Sequence, residues 1–291
     1  GMNATETLKT TLSGSACYNV LGGKSSVRTI AGNDSGWSGT GSGDCRTISE
    51  VQQNVADWYT YERRRSFVTK SAISSVIKDA EYYRYGLSVI NLYTSLFTEV
   101  PSDNQSEYAE HNNALLADLY DFNWPVAGTP LRSGLQKVGQ YFDNTLSGKS
   151  DPIQEACQQN FSILLTDGYW NGDSPSSYIG DSDNDGHSRT LADVAHYYYD
   201  KDLSDLENIV APNTFDEATH QHMVTFTVAF GVSGLLIDTD NDGWPDPTLD
   251  TNDDWGNPFY SEASKIDDLW HAAYNSSGTF VGAQTPDSVS E

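Results

Sequence analysis

The segment Asp238-Thr239-Asp240-Asn241-Asp242-Gly243-Trp244-Pro245-Asp246 places side-chain oxygens at positions 1, 3, 5 and 9 and a glycine at position 6. That spacing wraps a chain around Ca²⁺, because carboxylates two residues apart can converge on one point and the glycine permits the sharp turn between them. The twelfth position, where such loops carry a bidentate Glu, is Leu249, so Asp250, Asp253 or Asp254 would have to replace it. The plain alternative is a solvated acidic turn. A second run, Asp181-Ser182-Asp183-Asn184-Asp185-Gly186, repeats the first half of the pattern, but its ninth position is Arg189, a cation where a ligand belongs. Carboxylates held this close repel one another unless a cation sits between them.

Asp167 is a different kind of candidate. It follows the short apolar run Phe161-Ser162-Ile163-Leu164-Leu165, which reads as a central strand covered on both faces, and so puts a carboxylate at the strand's carboxyl end. In open α/β sheets that edge is where ligands bind. His220 and His222 would share one face of an extended segment, and His196 lies on a helix that could approach them. They could hold Zn²⁺, or be histidines flanking a strand with their hydrogen bonds satisfied. Tyr169, Trp170, Trp244 and Trp255 cluster around the same stretches, either as a recognition surface or as covers for the sheet core. The sequence has no Gly-x-Ser-x-Gly elbow, no His-Glu-x-x-His, no phosphate loop and no Cys-x-x-Cys.

The elements that would position these residues alternate between strand and helix. Residues 1–48, rich in Gly and Ser, read as an extension or insertion in loop or hairpin form. Ser49 and Gln52 form a capping box ahead of a long amphipathic helix over 50–80, and Tyr83 to Leu92 alternates as a strand. A helix over 104–121 turns Tyr108, Leu115, Leu116, Leu119 and Tyr120 inward. Thr129 is expected to cap a third helix with Pro130 in its first turn, and Gly148 to stop it. After the strand at 160–166, Thr190 and Asp193 frame a capping box for the next helix. Met223 to Val232 is the clearest strand, followed by a helix near 262–275 and a short strand near 279–281. This order implies βα units, a mostly parallel sheet and flanking helices.

Composition narrows the class. The 291 residues include 41 acidic and 16 basic side chains, a net charge of −25, which repels phosphate backbones and anionic lipid and so argues against nucleic-acid binding. No apolar run is long enough for a membrane span. Gly1-Met2 resembles the remnant of a cleaved tag, so an export signal is expected upstream. Of three cysteines, Cys17 and Cys45 could bridge a loop and contribute about 3–4 kcal/mol. All three could equally be buried thiols, or Cys157 could pair with a residue outside this chain.

Several blocks in order resemble the von Willebrand factor A-like domain at the N-terminus of PilC/PilY-type type IV pilus tip-associated adhesins. They are Asn54 to Arg65, Gly128-Thr129-Pro130-Leu131, Ile163 to Asn171, Thr190 to Tyr199, Gln221 to Phe226 and Lys265 to Ala273, so the resemblance covers about residues 50–285. It implies a Rossmann-like α/β fold for residues 49–291, with acidic loops at 173–189 and 238–257. It also implies a β-propeller following in the full-length protein, a place on the cell surface or pilus tip, and partners among pilus components or host and abiotic surfaces.

A-like domains commonly hold Mg²⁺ through an Asp-x-Ser-x-Ser loop, a Thr and an Asp. Thr129 and Asp167 match the last two elements. Asp34-Ser35-Gly36-Trp37-Ser38 and Asp173-Ser174-Pro175-Ser176-Ser177 only imitate the first, which the family carries on a first strand expected upstream of this chain. Two ligands alone do not dehydrate Mg²⁺. The resemblance therefore implies a non-enzymatic adhesion or pilus-biogenesis domain, to which the acidic loops add calcium support. The alternatives are a metal-dependent hydrolase using Asp167 and nearby histidines, and a spacer that transmits pulling force.

Overall fold

The computed structural model describes residues 16–18, 27–29, 65–91, 96–123, 127–172, 174–240, 243–246 and 255–283. The chain divides into two compact units, Gly1–Val68 and Thr69–Glu291. In the first, strands β1 (Ala16–Tyr18) and β2 (Val27–Thr29) pair antiparallel with Cys17 opposite Arg28. The Gly/Ser-rich stretch 32–44, Cys45, and the helical pattern over 50–64 lie outside the described residues. The second half of that helix is α1 (Arg65–Asp79).

In the second unit, β3 (Leu87–Ser88) and β4 (Phe97–Thr98) form a two-residue antiparallel ladder. The strand expected from Tyr83 to Leu92 is thus much shorter. Arg84, inside the alternating Tyr-Arg-Tyr stretch, is spent on contacts to the Pro101 and Pro152 carbonyls and to Gln158, and Tyr82 and Tyr83 point into solvent. Helix α2 (Gln105–Asp121) is capped by the Asn104 side chain and packs Leu115, Leu116 and Leu119 against Ile77 of α1. Tyr120, expected on the inner face, is 55% exposed.

The main layer is a three-stranded parallel sheet in the order β5 (Asn160–Thr166), β6 (Met223–Phe230), β7 (Phe280–Ala283). Helices α3 (Leu131–Phe142), α4 (Leu191–Asp200) and α5 (Ser264–Tyr274) pack against one face of it. Their core includes Leu131, Leu135, Leu164, Leu191, Val194, Tyr198, Met223, Ala229, Ile266 and Leu269. Leu191, Val194, Ala195 and Tyr198 follow the three- and four-residue steps of a helix stripe and are all fully buried. No described helix is long and apolar enough to cross a membrane.

Two expectations about β5 are corrected. Among the described residues it pairs with β6 alone, so β6 is the central strand and β5 an edge. Nor is β5 covered on both faces, since its burial alternates and Phe161 and Ile163 are 50% and 57% exposed. The apolar run is the pattern of a parallel strand covered on both faces, but the face carrying Phe161 and Ile163 stays largely open.

The N-terminus of α3 is also corrected. Pro130 occupies the capping position and no side chain caps the helix. Thr129 is held instead through its backbone, its N–H donating to Asn171 Oδ1 and its carbonyl accepting from Asn171 N. After α3 the left-handed conformation falls on Asn144 (φ 51°), while Gly148 (φ 75°) serves a later turn. Cys157 is an exposed free thiol, so the three-buried-thiols alternative fails for it.

At α4 the expected capping box is present. Thr190 Oγ1 accepts from Asp193 N at 3.0 Å, and Asp193 Oδ2 accepts from Thr190 N at 2.8 Å. Both residues are completely buried, so water cannot replace the lost bond. Thr190→Ala is therefore expected to cost about 2 kcal/mol in chemical denaturation, while Thr190→Ser stays near wild type.

Candidate metal centre

Both acidic loops leave the carboxyl edge of the sheet, the first between β5 and α4 and the second between β6 and α5. The first folds back on itself. Asp181 Oδ2 accepts from Gly186 N at 3.2 Å, Asp183 Oδ1 from Asp185 N at 3.3 Å and Asp185 Oδ1 from His187 N at 2.7 Å. These bonds turn the remaining carboxylate oxygens inward. Ligand atoms of Asp181, Asp183 and Asp193 lie within 4.8 Å of one another, and so do those of Asp183, Asp185 and His271. At that separation two carboxylates repel by about 3–4 kcal/mol even with an effective dielectric constant near 20.

The pocket is dry. The side chains of Asp183, Asp185 and His271 are 0%, 2% and 3% exposed. Burial, reinforced by Asp193 and Asp185, pushes the Asp183 carboxyl up to about 7, and burial raises Asp185 and Asp193 as well. The same burial, with His196 nearby, holds His271 down to about 3, so its imidazole is neutral. A neutral ring whose nitrogens lie 3.5 Å from Asp183 Oδ2 and 3.9 Å from Asp185 Oδ2 brings no positive charge to these carboxylates. Such an arrangement takes up protons or a cation.

Helix α5 positions much of this. His271 and Asn275 are four residues apart and both reach Asp183, Asn275 Nδ2 donating to its Oδ2 at 2.7 Å. One turn earlier, Asp268 is fully buried and accepts from Leu191 N, Ala192 N and Trp170 Nε1 at 3.1, 3.0 and 2.8 Å. Asp267 accepts from Leu235 N and Leu236 N, fixing the chain that leads into the second acidic loop. Trp270 Nε1 donates to the Gly243 carbonyl within that loop. Trp255 stacks on His271 with centroids 4.6 Å apart.

The second loop is open to solvent. Asp238, Asp240 and Asp246 present ligand atoms within 4.8 Å of one another, and Asp240 is exposed. Asp238 Oδ2 accepts from Gly243 N at 3.0 Å, the same closure as Asp181 with Gly186. The Thr239 side chain and amide hold Asp246 below the usual carboxylate range. Asp242, Leu249, Asp250, Asp253 and Asp254 lie outside the described residues.

Asp167 directly follows the last residue of β5 and is exposed. Thr129 lies beside the same loop through its backbone pairing with Asn171. The histidines sit elsewhere. His222 precedes the first residue of β6 and pairs with Asp216 at 2.8 Å, while His220 Nε2 bonds the Tyr199 carbonyl. Because β5 and β6 are parallel, with Asn160 opposite Met223 and Thr166 opposite Ala229, Asp167 and His222 stand at opposite ends of the sheet. That separation is roughly 20 Å at about 3.3 Å per residue. The Asp167–histidine constellation of a hydrolase is not assembled, and His196 turns to Ser182 Oγ instead.

Trp170 and Trp255 are buried, which fits covers for the core rather than a recognition surface. Arg132 lies 4.0 Å over the Trp170 ring and donates to the Arg189 carbonyl, tying α3 to the first acidic loop. The sequence alone did not bring Asp193 and His271 into these acidic groups. The capping box gave Asp193 a sufficient local role, and the Lys265 to Ala273 stretch contained no ligand spacing.

The chain is thus an α/β domain with a parallel sheet and acidic loops on its carboxyl edge. No protein-family model matches it, and no solved structure does. It is similar to the type IV pilus biogenesis factor PilY1 of Pseudomonas aeruginosa strain PAK, 27% identical over 84% of this chain and 26% of that protein. It is likewise similar to the PilY1 of strain UCBPP-PA14, 29% identical over 85% of this chain and 26% of that protein. The chain therefore spans about a quarter of the length of these relatives. The similarity supports a type IV pilus-associated role.

Proposed function

We propose that this chain is a von Willebrand factor A-like domain of a type IV pilus-associated protein, acting in pilus biogenesis and adhesion through protein or surface contacts rather than turnover. The observation that carries this is the similarity to PilY1 across more than four fifths of the chain. The parallel sheet with acidic loops at its carboxyl edge is the architecture such a domain would need. In this reading the protein is exported and displayed at the cell surface or pilus tip. A β-propeller follows in the full-length chain, and pilus components or host and abiotic surfaces are its partners. Calcium supports the domain through its acidic loops, and Thr129 and Asp167 contribute to an Mg²⁺ adhesion site only together with a strand from upstream.

The test is complementation. In a piliated bacterium lacking its own PilY1-type gene, the full-length gene encoding this chain should restore surface pili and attachment. The same gene with residues 69–283 deleted should not. Equal restoration by both would overturn the proposal.

A further inference from the structure

We infer that Asp181, Asp183 and Asp193 bind one calcium ion in the buried cluster that His271 borders from the α5 side, and that the ion is a structural clamp rather than part of a recognition surface. This rests on the calcium part of the proposal above and is independent of the pilus role.

The acidic cluster alone would not carry it. The further observation is Oδ1 of Asp181, which is sealed from solvent and has no hydrogen-bond partner, although Oδ2 of the same carboxylate is bonded to Gly186. A buried carboxylate oxygen without a donor is costly, and nearby ligand atoms of Asp183 and Asp193 only add negative charge. A cation among them gives the orphaned oxygen its partner and reverses the repulsion.

Arg189 does not obstruct the site. Its side chain is exposed, its N–H bonds the Gly180 carbonyl and its own carbonyl accepts from Arg132. Asp193, four residues further on, supplies the carboxylate that the loop pattern lacks at that point. Its Oδ1 is held in place by Ser182 N and its Oδ2 by Thr190.

The donor chemistry selects the ion. Three carboxylates on a wrapped loop and a helix turn offer hard oxygens in irregular geometry, which suits calcium's six to eight ligands better than the strict octahedron of magnesium. His271 offers the one nitrogen among the grouped ligands, whereas zinc favours nitrogen and sulfur donors. The ligands come from the loop after β5 and from the first turn of α4, and His271 and Asn275 of α5 contact Asp183. One ion therefore ties together the three segments on which the sheet edge depends.

The test uses the purified chain after chelator treatment, titrated with CaCl₂ in a calorimeter and followed by tryptophan fluorescence, since Trp255 stacks on His271. The expected result is a binding event that Asp181→Asn weakens roughly 100-fold while far-UV circular dichroism stays unchanged. Asp240→Asn, in the second loop, should leave that event in place, and Trp255→Phe should abolish the fluorescence change but not the heat. Calcium heats identical in wild type and Asp181→Asn would overturn the inference. So would binding of Zn²⁺ in preference to Ca²⁺ that His271→Gln abolishes. Because every readout is on the isolated chain, failure here leaves the complementation test standing, and the reverse holds.

Discussion

Asp268→Ala is expected to lower the unfolding free energy by about 3–5 kcal/mol, read from the midpoint of urea denaturation. The carboxylate is fully buried and is the acceptor for two amides at the start of α4 and for the Trp170 indole. Removing it leaves three donors without partners, each costing about 1–3 kcal/mol, in a place water does not reach. Asp268→Asn keeps one acceptor oxygen and should lose about half as much. The carboxyl also gives a pH signature, because burial pushes it up to about 7 against the pull of its three donors and Arg132.

The folded state therefore holds a proton that the unfolded state releases near the ordinary value of 3.8. The resulting stability is complete below that ordinary value and is lost as pH rises through about 7. The stability advantage of wild type over Asp268→Asn should shrink between pH 5 and pH 8. An advantage that grows over that range would show Asp268 to be stabilised in its charged form.

Gly278→Ala is expected to cost about 3 kcal/mol for a different reason, steric rather than electrostatic. Gly278 N donates to the Ala273 carbonyl at the end of α5, and any Cβ there would fall on the carbonyl group of Thr225 in β6. That atom belongs to the central strand's backbone and cannot rotate aside. Ser276, whose Oγ accepts from Thr225 N and donates to the Ala272 carbonyl, locks the same junction. Gly148→Ala is the matched control. Its left-handed φ of 75° makes alanine strained by about 1 kcal/mol, but nothing lies within 4 Å of the new methyl. If both variants lost the same stability, close packing of α5 on β6 would not be what Gly278 secures.

Where the signal was local, the sequence was a sufficient guide. The β-rich run from Met223, the stripe Leu191, Val194, Ala195 and Tyr198, and the Thr190–Asp193 box all follow from neighbours within one or two turns. Arg189 stands at the ninth position of the first acidic pattern by number alone. Position along the chain does not say whether a side chain turns inward, and this one is exposed. His271 and Asn275 were illegible for another reason. Asn275 meets Asp183 across 92 residues, and no periodicity encodes such a meeting.

The apolar run of β5 misled in the opposite direction. Parallel strands are ordinarily covered on both faces and apolar for that reason, so composition alone did not reveal that Phe161 and Ile163 stay exposed. Buried polar residues on α3, such as Arg132 and Gln136, were hidden as well. Their partners, Arg189, Tyr178 and Ser176, lie in the loop after β5.

The most direct measurement is a crystal structure of the chain grown in calcium. The account predicts a density peak stronger than water between Asp181, Asp183 and Asp193, with carboxylate oxygens at about 2.3–2.6 Å from it, one of them Oδ1 of Asp181. Well-ordered density for those three side chains with no peak between them would contradict it.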